Sequence, residues 1–204
     1  MAATPDLHEF PVPPNTGWDT LEAAEEEIIR FTASHGYAII RERSILKNGE
    51  VCKVYLRCDR GGDYTLPVAP GRVRKRNRGT RQTNCPFSGY LRFFKRIGRW
   101  EFVVRNPQHN HQPSPPITHP SLRARALRKH EETIRQQLDM GMRPRDIYTY
   151  LQLENQDQGQ GDKIAITIDD IRNLHYRHRM EQTLNRGFSE QPEQTLPNDR
   201  TEKE

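Results

Sequence analysis

The chain has 204 residues, a formal net charge of +5, a sequence pI near 9.2, 33% hydrophobic residues and a mean hydropathy of −0.97. That length suits one or two small domains, and so polar a composition excludes a large apolar core, so a small domain here needs a staple such as a metal. No apolar run approaches the roughly 18 residues of a membrane span, and residues 1–14 lack the basic and apolar regions of a signal peptide.

Residues 1–16 are Pro-rich and expected to be disordered. Asp19 and Glu22 have capping-box spacing, and Leu21, Ala24, Ile28 and Phe31 recur at helical spacing. The helix should stop near Ser34–His35, at Gly36. From Tyr37 the period changes to two. Tyr37–Arg43 reads as a strand, Lys47-Asn48-Gly49 as a hairpin turn, and Val51–Cys58 as a second strand. On that strand Cys52, Val54, Leu56 and Cys58 share one face; Lys53, Tyr55 and Arg57 share the other. A long loop follows Gly61-Gly62. Cys85–Arg96 is a third strand with Phe87, Leu91 and Phe93 on one side, and Trp100, Phe102 and Val104 mark a fourth.

Residues 113–120 form a Pro-rich linker. Beyond it a long helix is expected from Leu122 to Met140, capped by Ser121 and stopped by Gly141. A short helix should start at Pro144, and another at Thr167–Asp170, ending at Gly187. Residues 188–204 read as a polar tail. The expected fold class is α+β: a small zinc-stapled antiparallel sheet of about four strands with an N-terminal helix (residues 17–112), then a three-helix C-terminal module (residues 121–187).

Charge is uneven. Residues 1–35 hold seven acids and one base, residues 36–111 seventeen bases and five acids, and residues 112–204 fourteen bases and fifteen acids. The central excess of +12 favours a polyanionic partner.

That segment also carries Cys58, Cys85, His109 and His111, spaced C-x26-C-x23-H-x-H. With no signal peptide, the expected compartment is intracellular, where three cysteines read as metal ligands or free thiols rather than a disulfide frame. Two thiolates and two imidazoles are the donors of a closed structural zinc site, which has no open position for water and therefore folds a domain without catalysing. Each ligand falls at the end of an expected strand, so the four can converge on one Zn2+. The plainer alternative is two buried free cysteines and two surface histidines. Cys52, on the same strand face as Cys58, reads as a buried structural cysteine, with a further metal ligand as the alternative.

The segment Trp18–His111 resembles the DNA-binding domain of the far-red-impaired-response family, of the WRKY and glial-cells-missing zinc folds, also found at the front of Mutator-like transposases. The resemblance is carried by Ala33-Ser34-His35-Gly36-Tyr37, by Ala38–Arg43, by Val54–Gly62, by Thr83-Asn84-Cys85-Pro86-Phe87, by Trp100-Glu101 and by His109-Asn110-His111. It implies a zinc-dependent sheet that lays a strand edge into the DNA major groove. The WRKY heptad itself is absent from Gly36–Arg43.

Between the two cysteines, Arg72, Arg74, Lys75, Arg76, Arg78 and Arg81 put six bases in ten residues. Such density suits phosphate contact with strong salt dependence, and equally a nuclear-import signal or a solvated loop. Arg41, Arg43, Lys53 and Arg57 could extend the positive face across the sheet. Trp100, Phe93, Phe102 and Tyr37 fit core packing better than stacking platforms. The C-terminal helices resemble the helical segment that follows the zinc domain in Mutator-like transposases. Asp169 and Asp170 fit a helix cap better than catalytic acids, and His175 and His178 fit a solvated helix face.

The expectation is a nuclear, zinc-dependent protein that binds double-stranded DNA and is not an enzyme: a transcription regulator or a transposase-derived recognition protein. Its C-terminal helices offer a surface for homo- or hetero-oligomers, and no membrane partner is expected. The alternative is a zinc-stabilised module that binds an acidic partner protein.

Overall fold

A computed structural model describes residues 8–9, 13, 17–62, 80–157 and 164–189, with the backbone alone at 8, 9, 156, 157 and 185–189. The chain divides into two compact units, Met1–Ala126 and Leu127–Glu204.

The first unit is built on a four-stranded antiparallel sheet in the order β2-β3-β4-β5, with strands β2 (Ile39–Lys47), β3 (Glu50–Cys58), β4 (Ser88–Phe94) and β5 (Arg99–Asn106). A two-residue strand β1 (His8–Glu9) pairs with β6 (Gln108–His109). Helix α1 (Leu21–Ser34) precedes the sheet. The α+β reading therefore holds: four antiparallel strands, an N-terminal helix, then further helices.

Local chemistry explains the boundaries. The N-cap of α1 is Thr20, whose hydroxyl accepts the Ala23 N–H at 3.1 Å, so the cap lies one residue after the expected Asp19. Asp19 instead lies 3.3 Å from Arg99. Asn48 and Gly49 both take positive φ, 54° and 82°, the geometry an Asn-Gly hairpin turn supplies at least cost.

The core lies between α1 and one face of the sheet. Ala24 and Ile28 of α1 pack with Val54, Leu56, Phe87, Leu91, Trp100 and Phe102. Burial of Trp100, Phe102 and Tyr37 agrees with the core-packing assignment. Trp18 extends the sheet past the helix start through a two-way backbone bridge to Trp100, at 2.9 and 2.7 Å. Gly89 lies where Phe102 crosses β4. A Cβ there would meet the ring at 2.8 Å and the Val103 carbonyl at 3.0 Å.

Residues 113–120, expected as a linker, are bonded into the first unit. The Ser114 N–H donates to the Gly36 carbonyl at 2.8 Å, Pro116–Thr118 form a 3-10 turn, and His119 is fully buried. The single helix expected over Leu122–Met140 is two, α2 (Pro120–Lys129) and α3 (Glu131–Asp139), separated at His130. Gly141, at φ 82°, ends α3 as expected.

In the second unit, α3, α4 (Pro144–Asp157) and α5 (Ile168–Ser189) bury Ile134, Leu138, Ile147, Leu151, Ile171 and Leu174. Thr167 and Asp170 form a reciprocal cap at the start of α5: the Asp170 carboxylate accepts the Thr167 N–H at 2.9 Å, and the Thr167 hydroxyl accepts the Asp170 N–H at 3.1 Å. Asp170 is therefore a cap, as its position suggested. His178 is turned to Asp139, 2.7 Å away. Among the described residues no helix is long and apolar enough to cross a membrane.

Candidate metal centre

Cys58 ends β3, Cys85 precedes β4, and His109 and His111 follow β5, so the sheet delivers all four to one end. All four are buried, and one ligand atom from each lies within 4.8 Å of every other. Cys58 Sγ is 3.2 Å from His111 Nε2, and Cys85 Sγ is 3.2 Å from His109 Nδ1. Tetrahedral metal–sulfur and metal–nitrogen bonds of about 2.3 and 2.0–2.1 Å give ligand–ligand edges of roughly 3.3–3.8 Å, so the donor set fits one metal ion with small adjustment. Cys52 is half-buried and outside the cluster, with its thiol 3.5 Å from the Ile45 carbonyl.

The histidines are held by their surroundings. The His109 ring is stacked between Tyr37, centroids 3.9 Å apart, and Phe87, 4.6 Å apart. His111 Nδ1 faces the Gln112 carbonyl at 3.1 Å. A carbonyl only accepts, so Nδ1 carries the proton and Nε2 is left for a metal. Asn110, between the histidines, binds the approach to Cys85: its Nδ2 donates to the Thr83 carbonyl at 2.7 Å and its Oδ1 accepts the Thr83 hydroxyl at 2.9 Å.

The cysteine loops close on each other. The Arg60 carbonyl accepts the Thr83 and Cys85 N–H groups at 2.9 and 3.2 Å, and the Arg60 N–H points at Cys58 Sγ at 3.4 Å. Gly61 has no room for a side chain, since a Cβ would meet the Cys58 and Cys85 carbonyls at 3.0 and 3.2 Å. Without a cation the two thiols share protons unequally. The Cys58 thiol is pushed up by its hydrogen bond to Cys85 and by burial. Cys85 is held down by Cys58 and, against burial, by the two imidazoles. A divalent cation would hold both as thiolates.

The basic residues have different surroundings. Arg41 is bound in a fork to Glu25 of α1, at 2.7–2.9 Å. Arg57 donates to the Gly61 carbonyl. Arg43 and Lys53 stand on the sheet face away from the core, against Tyr55, and Arg81 is exposed. Arg72, Arg74, Lys75, Arg76 and Arg78 lie outside the described residues. Sequence reasoning missed the Tyr37–His109–Phe87 stack and the role of Asn110. The tripeptide spacing alone could have flagged Asn110 as a loop tie.

No family model matches the chain, and no curated protein matches it. Among solved structures, a crystal structure of AFT2 in complex with DNA is similar at 17% identity and a TM-score of 0.37, over 84% of this chain and 98% of that one.

Proposed function

We propose that this chain is a zinc-dependent protein that binds double-stranded DNA, without enzymatic activity, acting in the nucleus as a transcription regulator or transposase-derived recognition protein. The observation that carries the reading is the buried Cys58–Cys85–His109–His111 cluster in the most basic stretch of the chain. Two thiolates with two imidazoles are a zinc donor set, and four protein ligands leave the ion no position for a substrate. The ion would fix the strand ends, and the +12 excess of residues 36–111 would supply the attraction for phosphates. The likeness of the sequence motifs to the far-red-impaired-response domain supports the same reading.

The test is selection from a randomised duplex pool by the zinc-loaded protein at physiological salt, followed by sequencing. An enriched motif supports base readout. Retention without a motif reduces the reading to backbone binding. No retention overturns it and favours an acidic protein partner, whose binding duplex DNA would then fail to compete.

A further inference from the structure

The sheet face opposite the core has its own order. Residues in register across neighbouring strands share a face. Arg43, Tyr55, Tyr90 and Val103 form one such row across all four strands, and Ile45, Lys53, Arg92 and Glu101 form the next. Arg105, two residues beyond Val103, lies within 5.8 Å of both tyrosine rings. The rings are 6.0 Å apart at a 52° tilt. Arg43 stands over Tyr55 at 4.3 Å, and Lys53 reaches Tyr90 at 3.7 Å and Tyr55 at 4.6 Å. Among the described residues, no carboxylate makes an ion pair with Arg43, Lys53, Arg92 or Arg105.

Arg43, Lys53 and Arg105 crowd the two tyrosine rings, while Arg92 stands over Phe94 at 5.2 Å; Glu101, in register opposite Arg92, is the one carboxylate in the two rows, so positive charge stays in excess on this face. The uncompensated charge selects an anionic partner. The rings narrow the choice further. A duplex keeps its base faces stacked on each other and offers phosphates and groove edges. A single strand offers base faces as well, and an aromatic pair on a sheet can stack on them whatever their sequence.

We propose that this face binds single-stranded nucleic acid, with Tyr55 and Tyr90 stacking on bases and Arg43, Lys53, Arg92 and Arg105 taking the neighbouring phosphates. The binding exchanges partners. A base takes the ring face on which Lys53 or Arg43 now lies, and the cation moves onto the phosphate beside it. The Tyr55 hydroxyl registers the positive field. It is held below the ordinary tyrosine range by the hydrogen bond with Lys53, against desolvation, and by the charges of Lys53, Arg43 and Arg105. The proposal is independent of duplex recognition, because it needs only the folded sheet.

The test is fluorescence anisotropy of the full, zinc-loaded chain with a short mixed-sequence labelled strand, as RNA, as DNA and as the annealed DNA duplex. Two variants are compared, Tyr55→Ala/Tyr90→Ala and Tyr55→Phe/Tyr90→Phe, after circular dichroism shows that both fold. The alanine pair should weaken single-strand binding on the order of 30-fold, while the phenylalanine pair and the duplex arm change by less than roughly threefold. Retention of either strand supports the proposal, and the tighter of the two identifies the preferred sugar. The proposal is overturned if neither single strand binds the wild type, or if the alanine pair binds it unchanged. It is also overturned if duplex binding falls as far as single-strand binding, which would leave a charge effect alone. Failure in the duplex arm with success in the single-strand arm would count only against the duplex reading.

Discussion

The His119 imidazole donates to the Asp59 carboxylate at 2.8 Å across sixty residues of sequence, and both side chains are buried. Asp59 follows Cys58 of the candidate metal cluster; His119 closes the proline-rich stretch. The other His119 nitrogen lies 2.9 Å from Ser114 Oγ, which accepts from Arg60 at 3.0 Å. Burial alone would raise the Asp59 carboxyl, but the hydrogen bond and charge of His119, with Arg81 and Arg60, hold it below the usual carboxylate range.

His119→Ala should therefore destabilise the first unit by about 2–3 kcal/mol, because it strands a buried carboxylate. Urea unfolding measures this. Asp59→Asn in the same background should recover part of the loss, and a double-mutant cycle with no coupling would refute the pairing.

Metal removal should unfold the first unit and leave the second. The chain's two tryptophans, Trp18 and Trp100, both lie in the first unit, so the tryptophan bands of the near-ultraviolet dichroism report on it alone, apart from the tyrosines of the second unit. A strong chelator, or Cys85→Ser, should abolish that signal while helical dichroism persists in part. Elemental analysis of the untreated protein should return one zinc per chain. A Cys85→Ser protein that keeps both zinc and the tryptophan signal would exclude the cluster as a metal site.

Gly89→Ala should cost about 1–3 kcal/mol by overpacking, since the new methyl meets both a ring and a backbone carbonyl. The companion substitution Phe102→Leu should relieve part of that cost in the double variant. An unchanged denaturation midpoint for Gly89→Ala would show that the strands part more easily than the close approach implies.

Acid should weaken the second unit through two carboxylates. Asp139 is held low by the hydrogen bond from His178, against desolvation, and Glu181 by the one from Arg135, again against desolvation. A carboxyl lowered in the folded state stabilises fully above its unfolded value, near pH 4, and loses that contribution as pH falls through its folded value. Asp139→Asn/Glu181→Gln should therefore flatten the pH dependence of helical melting below about pH 4. A variant with the same acid slope as wild type would show that other groups set it.

The alternation of Val54, Leu56 and Cys58 and the Asn48-Gly49 turn were legible, because both follow from local backbone geometry. So was the convergence of Cys58, Cys85, His109 and His111, since all four fall at strand ends. The break at His130 was not legible: it sits within a stretch of continuous helix-forming residues, and no glycine or proline marks it. The His119–Asp59 bond, the ring stack on His109 and the Tyr55–Tyr90 row join residues far apart in sequence. Only the strand register and the return of the chain after His111 bring them together, and neither has a periodic signature.

The Arg60 carbonyl, which precedes the basic segment and accepts the Thr83 and Cys85 N–H groups that follow it, also has a consequence for tolerance to length change. Those bonds tie the two ends of the intervening sequence together whatever its length. Doubling such a loop adds only about 0.6 kcal/mol of closure entropy. Residues 63–79 are therefore the natural place to graft a fluorescent tag or an altered run of arginines while the cluster keeps its geometry.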